Sequence, residues 1–229
     1  MCAILWPFEL STAARLIQGG TNNMNKWIYI TLLLVLIAGF CVAFIVTRTE
    51  NHQFDKNSER LNGQTLNEHT DTTTAVVVFS RSGNTGVLAD HIAQKESADV
   101  FEILAEDYEL GIPGWISALK DARSNVAKIT PQTINLRQYD KVYLGSPIWL
   151  YSPAPPIWQF VKENDLKGKE IVLFNTFNSK FEQHFIDDFE SLVKAKGATT
   201  FIHRYVKRGR MGDQISTEEM LATYDAQSN

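Results

Sequence analysis

The apolar and polar positions of this chain fall into three regimes. From Trp27 to Thr47 the sequence is apolar with no charged residue. From Arg48 to Thr73 it is polar, with no clear period. From Thr74 onward short apolar runs alternate with amphipathic ones. In this last regime residues 75–79, 100–104, 141–145, 170–175 and 199–205 are rich in β-branched and aromatic residues and have the length of strands. Between them residues 84–95, 115–124, 155–163 and 182–196 read as helices. In the last of these Phe185, Phe189, Leu192 and Val193 make one stripe, Gly197 follows as a stop signal, and Ser216 with Glu219 marks the start of a short final helix. Strand–helix alternation of this kind predicts an α/β fold, a doubly wound five-stranded parallel sheet covered on both faces, in the order 2-1-3-4-5. Such sheets bind ligands beyond the carboxyl ends of their strands, where the strand order reverses.

The first two regimes predict a different kind of element. At 1.5 Å per residue the 27–47 run spans about 30 Å, the thickness of a bilayer's hydrocarbon core. Trp27 and Tyr29 stand at one end, where aromatic belts lie, and Lys26 and Arg48 bracket the run. It is longer than the apolar region of about 7–15 residues in a cleaved signal peptide. Residues 27–47 are therefore expected to form a single transmembrane helix that anchors the chain in a membrane. Residues 1–26 read as an extension with no domain of its own and no fixed structure, with Met24 as an alternative start. Residues 48–73 read as a flexible polar tether reaching roughly 30 Å, and residues 74–229 as the folded domain. Arg15 and Lys26 precede the span and Arg48, Lys56 and Arg60 follow it, so counting basic residues does not orient it. A start at Met24 would leave a short basic head inside the cell and place the domain on the extracytoplasmic side of the cell membrane.

Charge and cysteine usage narrow the partners. The net charge is -4, and the part from residue 74 onward carries 17 basic and 20 acidic residues. No basic excess invites nucleic acid. The two cysteines, Cys2 and Cys41, both lie outside the expected domain, so neither a disulfide framework nor a cysteine-based metal site is available there. No metal ligand set is expected. Lys207, Arg208 and Arg210 follow the fifth strand near the expected ligand edge, where they could meet an acidic partner, anionic lipid head groups or a nucleotide phosphate, and read first as a solvated basic turn.

Three loops carry the chemistry. Ser80-Arg81-Ser82-Gly83-Asn84-Thr85 joins the first strand to the first helix of the domain. A helix start offers free backbone N–H groups and the positive end of the helix dipole, so the turn suits an anion. Ser80, Ser82 and Thr85 add hydroxyls, and Gly83 lets the backbone close on a ligand. After the third strand come Pro147, Ile148, Trp149, Leu150 and Tyr151, whose two large rings suit a planar heterocycle, or else neighbouring helices. After the fourth come Asn175, Thr176, Phe177 and Asn178, whose amides and hydroxyl suit the polar edge of such a ring. No G-x-S-x-G elbow exists, and His91, His184 and His203 have no evident triad partners, which argues against a serine hydrolase. The loops after the first and third strands lack the aspartates of a receiver domain.

Together these loops resemble the flavodoxin family. Ser80, Ser82, Gly83 and Thr85 match its (S/T)-x-(S/T)-G-x-T phosphate loop. Tyr139 to Trp149 looks like the YDxxxxGxPIW stretch of short bacterial flavodoxin-like proteins. The resemblance covers residues 74–211. It implies non-covalently bound FMN and one- or two-electron transfer, with residues 80–85 on the phosphate and residues 147–151 along the isoalloxazine ring. Two departures stand out. Relatives often carry a glycine-rich run after the fourth strand, where this chain has Phe177-Asn178-Ser179-Lys180. Relatives also tend to have a second aromatic residue where this chain has Leu150. The resemblance implies a membrane-tethered redox protein, either an electron carrier or a reductase of quinone-like acceptors, whose donor and acceptor the sequence does not name. The alternative is a partner-binding module of the same fold that has lost flavin.

Overall fold

The computed structural model describes residues 10–62, 71–210 and 212–227. The chain divides into two compact units, Met1–Ile45 and Val46–Asn229. A long helix, α1 (Leu10–Asn62), contributes to both. Among the described residues it is the one helix long and apolar enough to cross a membrane.

The expectations for residues 1–26 and 48–73 need correction where the structure describes them. Residues 10–26 are helical rather than structureless, and residues 48–62 continue the helix rather than forming a tether. Residues 1–9 and 63–70 lie outside the described residues. The physical reason is local. No proline interrupts positions 10–62, and the polar stretch after Thr47 is well supplied with helix formers such as Arg48, Glu50, Gln53 and Lys56. Polar composition reads as a tether, yet these polar positions have polar ground to pack on: Thr47, Glu50 and Asn57 are buried in the second unit.

The second unit has the expected architecture. Its main strands are β1 (Thr74–Val78), β2 (Asp99–Glu102), β3 (Lys141–Trp149), β5 (Glu170–Phe177) and β6 (Thr200–Lys207), with a two-residue strand, β4 (Ser152–Pro153), between the third and fourth. The sheet order is β2-β1-β3-β5-β6, all parallel, and β4 folds back antiparallel on β3. Without β4 this is the doubly wound order 2-1-3-4-5. The helices are α2 (Asn84–Glu96), α3 (Ile112–Asp121), α4 (Pro155–Glu163), α5 (Gln183–Ala195) and α6 (Thr217–Asp225). Helix α3 begins three residues before the sequence suggested, because Pro113 sits in its first turn, where a missing N–H costs nothing. Ser216 caps α6 by accepting from the Glu219 backbone N–H at 3.1 Å.

The β-branched strands are apolar on both sides because both faces of the sheet are covered. One core packs Ala75, Val77, Val142, Leu144, Ile171 and Leu173 against Ile157, Phe160, Phe189 and Val193. The other packs Val76, Val78, Tyr143, Val172 and Phe174 against Leu88, Ile92, Met220 and Tyr224. The stripe of α5 runs through Ile186, Phe189 and Val193, with Phe185 and Leu192 at its margins. Gly145 lies against the ring of Phe174, and a Cβ at Gly145 would collide with that ring. Gly145→Ala is expected to lower the unfolding free energy by about 1–3 kcal/mol through overpacking, as read by chemical denaturation.

Candidate functional site

Parallel register sets which residues reach the ligand edge. Val78 pairs with Gly145, Ser146 with Asn175, and Pro147 with Thr176. The chain segments leaving β1, β3 and β5 therefore emerge side by side at the carboxyl edge. They border a cleft of about 240 Å³, whose wall includes Ser80, Arg81, Ser82, Asn84, Thr85, Pro147, Ile148, Trp149, Leu150, Thr176, Phe177 and Asn178. Twelve of the fifteen residues singled out from sequence meet there. Gly83, Tyr151 and Asn175 do not line it.

The hydroxyl loop turns as its glycine allows. Gly83 has φ +81°, in the left-handed region, and caps α2, whose Val87 N–H donates to the Gly83 carbonyl at 2.9 Å. Thr85 is 1% exposed, and its hydroxyl is shared with that of Thr176 at 2.8 Å, tying the loop after β1 to the end of β5. Arg81 is held by three carbonyls and a carboxylate. Its Nε donates to the Tyr108 carbonyl at 2.9 Å and Nη2 to the carbonyls of Glu109 and Gly111 at 3.2 and 3.3 Å, while Nη1 pairs with Glu50. A cation thus stands beside the anion-type loop, fixed by carbonyls at the entry to α3.

Trp149 serves two neighbourhoods. It lines the cleft, and its ring also meets Phe79 and Tyr108 edge-on, with centroids 5.5 and 5.2 Å away. The indole is thus packed on the core, which fixes the part of it that lines the cleft. Tyr151 goes elsewhere. Leu150 and Tyr151 form the two-residue connection between β3 and β4, with φ of +41° and +79°, as a tight hairpin requires. The turn sends the Tyr151 ring toward Lys180 and Arg123, 4.9 and 5.7 Å from its centroid, and away from the cleft.

Asn175 is a brace within the sheet. Its Nδ2 donates to the Ser146 carbonyl at 2.7 Å, which leaves Oδ1 as the acceptor for His203 Nε2–H at 2.8 Å. Ser146 Oγ accepts from the Ala154 N–H at 2.9 Å. This chain of bonds joins β6, β5, β3 and the start of α4. His203 stays neutral there: burial pushes its pKa down to about 4.

Other wall residues were not among the expected site residues, although the sequence places Arg208 near the ligand edge. Glu50 and Gln53 come from α1, Trp115, Ala118 and Leu119 from α3, and Arg208 and Gln214 from the segment after β6. The basic turn is not solvated as expected at Arg208, which is buried and donates to the Ser216 carbonyl at 2.7 Å and to Thr217 Oγ1 at 3.2 Å. Among the described residues no group of three or more His, Cys, Asp or Glu side chains is arranged to hold a metal ion.

Comparison with known proteins agrees with this architecture. Residues 73–195, more than half of the chain, match the family model for flavodoxin. No curated protein matches the chain. Among solved structures, a candidate flavoprotein of Bacteroides eggerthii shares 19% identity over 69% of this chain and 98% of its own, with a TM-score of 0.50. One of Bacteroides uniformis shares 20% over 66% and 96%, with a TM-score of 0.49. A flavoprotein in complex with FMN from Lactobacillus acidophilus shares 20% over 57% and 92%, with a TM-score of 0.48.

Two outcomes follow from the braces. Thr176→Val strands the buried Thr85 hydroxyl and is expected to cost about 1–3 kcal/mol. The double change with Thr85→Val removes both polar partners and should cost less than the sum of the two single changes in a denaturation cycle. His203 has a folded pKa near 4, against about 6.5 for an unperturbed histidine, so the unfolded chain binds the extra proton first. Its contribution to stability is complete above about pH 6.5 and is lost as pH falls toward 4, by at most about 1.4 kcal/mol per pH unit. His203→Gln, which retains a donor for Asn175, should flatten the stability profile in that window.

Proposed function

This chain belongs to the flavodoxin family, and on that premise we propose that it is a membrane-tethered redox protein that binds FMN in the cleft at the carboxyl edge of its sheet. The observation that carries the reading is the convergence of three chemically different loops on one cleft. The end of the cleft formed by Ser80, Ser82 and Asn84 offers hydroxyls and the backbone N–H groups of a helix start, which suit a phosphate. The middle offers Pro147, Ile148, Trp149 and Leu150, an apolar wall with one fixed aromatic edge. Asn178 adds a polar side chain suited to the pyrimidine edge of an isoalloxazine ring, while Thr176 stands beside the hydroxyl loop, its hydroxyl paired with that of Thr85. These residues fit the group that the family implies.

When bound, FMN would supply one- or two-electron transfer. This chain's own part is to hold the phosphate, to orient the ring against Trp149, and to shield one side of it with the β3–β4 hairpin. Where relatives often have glycines after the fourth strand, Phe177 is buried and Asn178 lines the cleft. That edge is therefore built by side chains rather than by close backbone approach. Residues 27–47 are read as the membrane anchor, so the domain works at high effective concentration toward membrane partners and lipid-soluble, quinone-like acceptors. A flavin-free binding module of the same fold is the competing reading.

Titration with FMN distinguishes the two. Binding is expected to quench tryptophan fluorescence, and the Trp149 share of that quenching should vanish in Trp149→Phe, leaving that of Trp115, which also lines the cleft. Trp149→Ala should weaken binding by about 0.5–1.5 kcal/mol beyond the lost contact area. Failure to bind FMN or riboflavin at any concentration tested would favour the flavin-free module.

A further inference from the structure

The first residues of the second unit, those of α1 from Val46 onward, lie against the hydroxyl loop. Three side chains make the contact, at positions 50, 53 and 57, a spacing of three and four that puts them on one helical face. Gln53 Nε2 donates to Asn84 Oδ1 at 3.0 Å. Asn57 Nδ2 donates to the Ser82 carbonyl at 2.8 Å and to Asn84 Oδ1 at 3.2 Å. Asn57 stands so close over Gly83 that a Cβ on that glycine would lie 2.5 Å from its own. Glu50 is 5% exposed and lines the cleft beside Ser80 and Ser82. One of its oxygens pairs with Arg81, and the other, Oε2, is buried with no hydrogen-bond partner.

A carboxylate resembles the oxygens of a phosphate in charge and in the donors it seeks, and a helix start with free N–H groups attracts either. Two anions cannot share that end of the cleft cheaply, because their repulsion is poorly screened where water is excluded. The size of the cleft points the same way. At about 240 Å³ it falls below the roughly 300–1,000 Å³ of ligand pockets, and Glu50 and Gln53 are part of the wall that limits it.

We propose that the 50–57 face of α1 is a strap across the phosphate end of the flavin cleft, and that Glu50 sets the site's preference between phosphorylated and unphosphorylated flavin. The inference rests on the flavin reading above. With the strap seated, Glu50 takes the place of the phosphate and uses the charge of Arg81. FMN enters by displacing this carboxylate. Arg81 keeps its other donors on the carbonyls of Tyr108, Glu109 and Gly111, so its charge stays beside the loop and becomes available to the phosphate. Riboflavin has no phosphate and does not compete with Glu50.

The test is a set of FMN and riboflavin titrations on the full-length protein in detergent micelles, wild type against Glu50→Gln, with hydrogen exchange followed over residues 50–57 and 80–85. Glu50→Gln keeps the shape and removes the charge. It is expected to tighten FMN binding by about tenfold or more and to leave riboflavin within about twofold. FMN added to the wild type should slow exchange over residues 80–85 and speed it over residues 50–57. Asn57→Ala loosens the strap while retaining Glu50, and should shift FMN affinity in the same direction by a smaller factor. Equal FMN affinity in wild type and Glu50→Gln, or slowed exchange over residues 50–57 on FMN addition, would overturn the strap and leave the cofactor reading standing. No flavin binding by either protein would overturn both.

Discussion

The register between β3 and β5 is the constraint on which the rest of the cleft depends. Pairing of Ser146 with Asn175 and of Pro147 with Thr176 puts the chemistry of two distant loops at one edge. A slip of one residue would turn every side chain of a strand to the opposite face. Two features oppose such a slip. Gly145 fits under the ring of Phe174, a place that no residue with a Cβ can take without displacing the ring. Asn175 spends its amide on the Ser146 carbonyl and its oxygen on His203, bonds that exist in one register only. The Thr85–Thr176 hydroxyl pair then carries the same register across to the loop after β1.

Within that frame the sequence was legible where local pattern and tertiary role coincide. The strands show as β-branched runs because both faces of the sheet are covered. The order 2-1-3-4-5 follows from strand–helix alternation, and the hydroxyl loop stands out because Gly83 must adopt positive φ at a helix start. Legibility failed where one residue's role is set by a distant partner. Asn175 is polar and sits at a strand end, like a ligand-binding residue, yet alternation along β5 directs it into the sheet. Tyr151 follows the ligand-facing run directly, but the tight turn reverses the chain at Leu150 and sends the ring to Lys180 and Arg123. Arg208 belongs to a basic triplet that resembles a solvated turn, and only the folded chain reveals its bonds at the start of α6.

The segment after the apolar run is the clearest case. Glu50, Gln53 and Asn57 carry no apolar stripe, so periodicity gives no reason to place them on anything. Their helical face is polar because what it meets is polar: a helix start, a carbonyl and the Asn84 amide. An apolar stripe is a sound guide to helix faces buried against a core, and its absence says nothing about faces buried against a site. A polar helix that follows an apolar span therefore need not be a spacer.

The hairpin between β3 and β4 shows how the cleft is held rigid at some cost. Positive φ in non-glycine residues costs on the order of 1–3 kcal/mol each, and the connection uses two in succession, Leu150 and Tyr151. Such a conformation persists only where its surroundings over-determine it. Here the Ala154 N–H donates to the Pro147 carbonyl at 3.0 Å, and the Glu182 N–H donates to the Tyr151 carbonyl at the same distance. Arg123 Nε donates to the Leu150 carbonyl at 3.3 Å. The first bond closes the hairpin behind its two strands, and the other two tie it to the start of α5 and to the segment after α3. The consequence is local. Trp149, the residue before the turn, is fixed from one side by Phe79 and Tyr108 and from the other by a backbone that has almost no freedom to relax. A wall built this way meets a planar ligand already in place, so little ordering is left to be done on binding and the stabilisation from the contact is correspondingly larger.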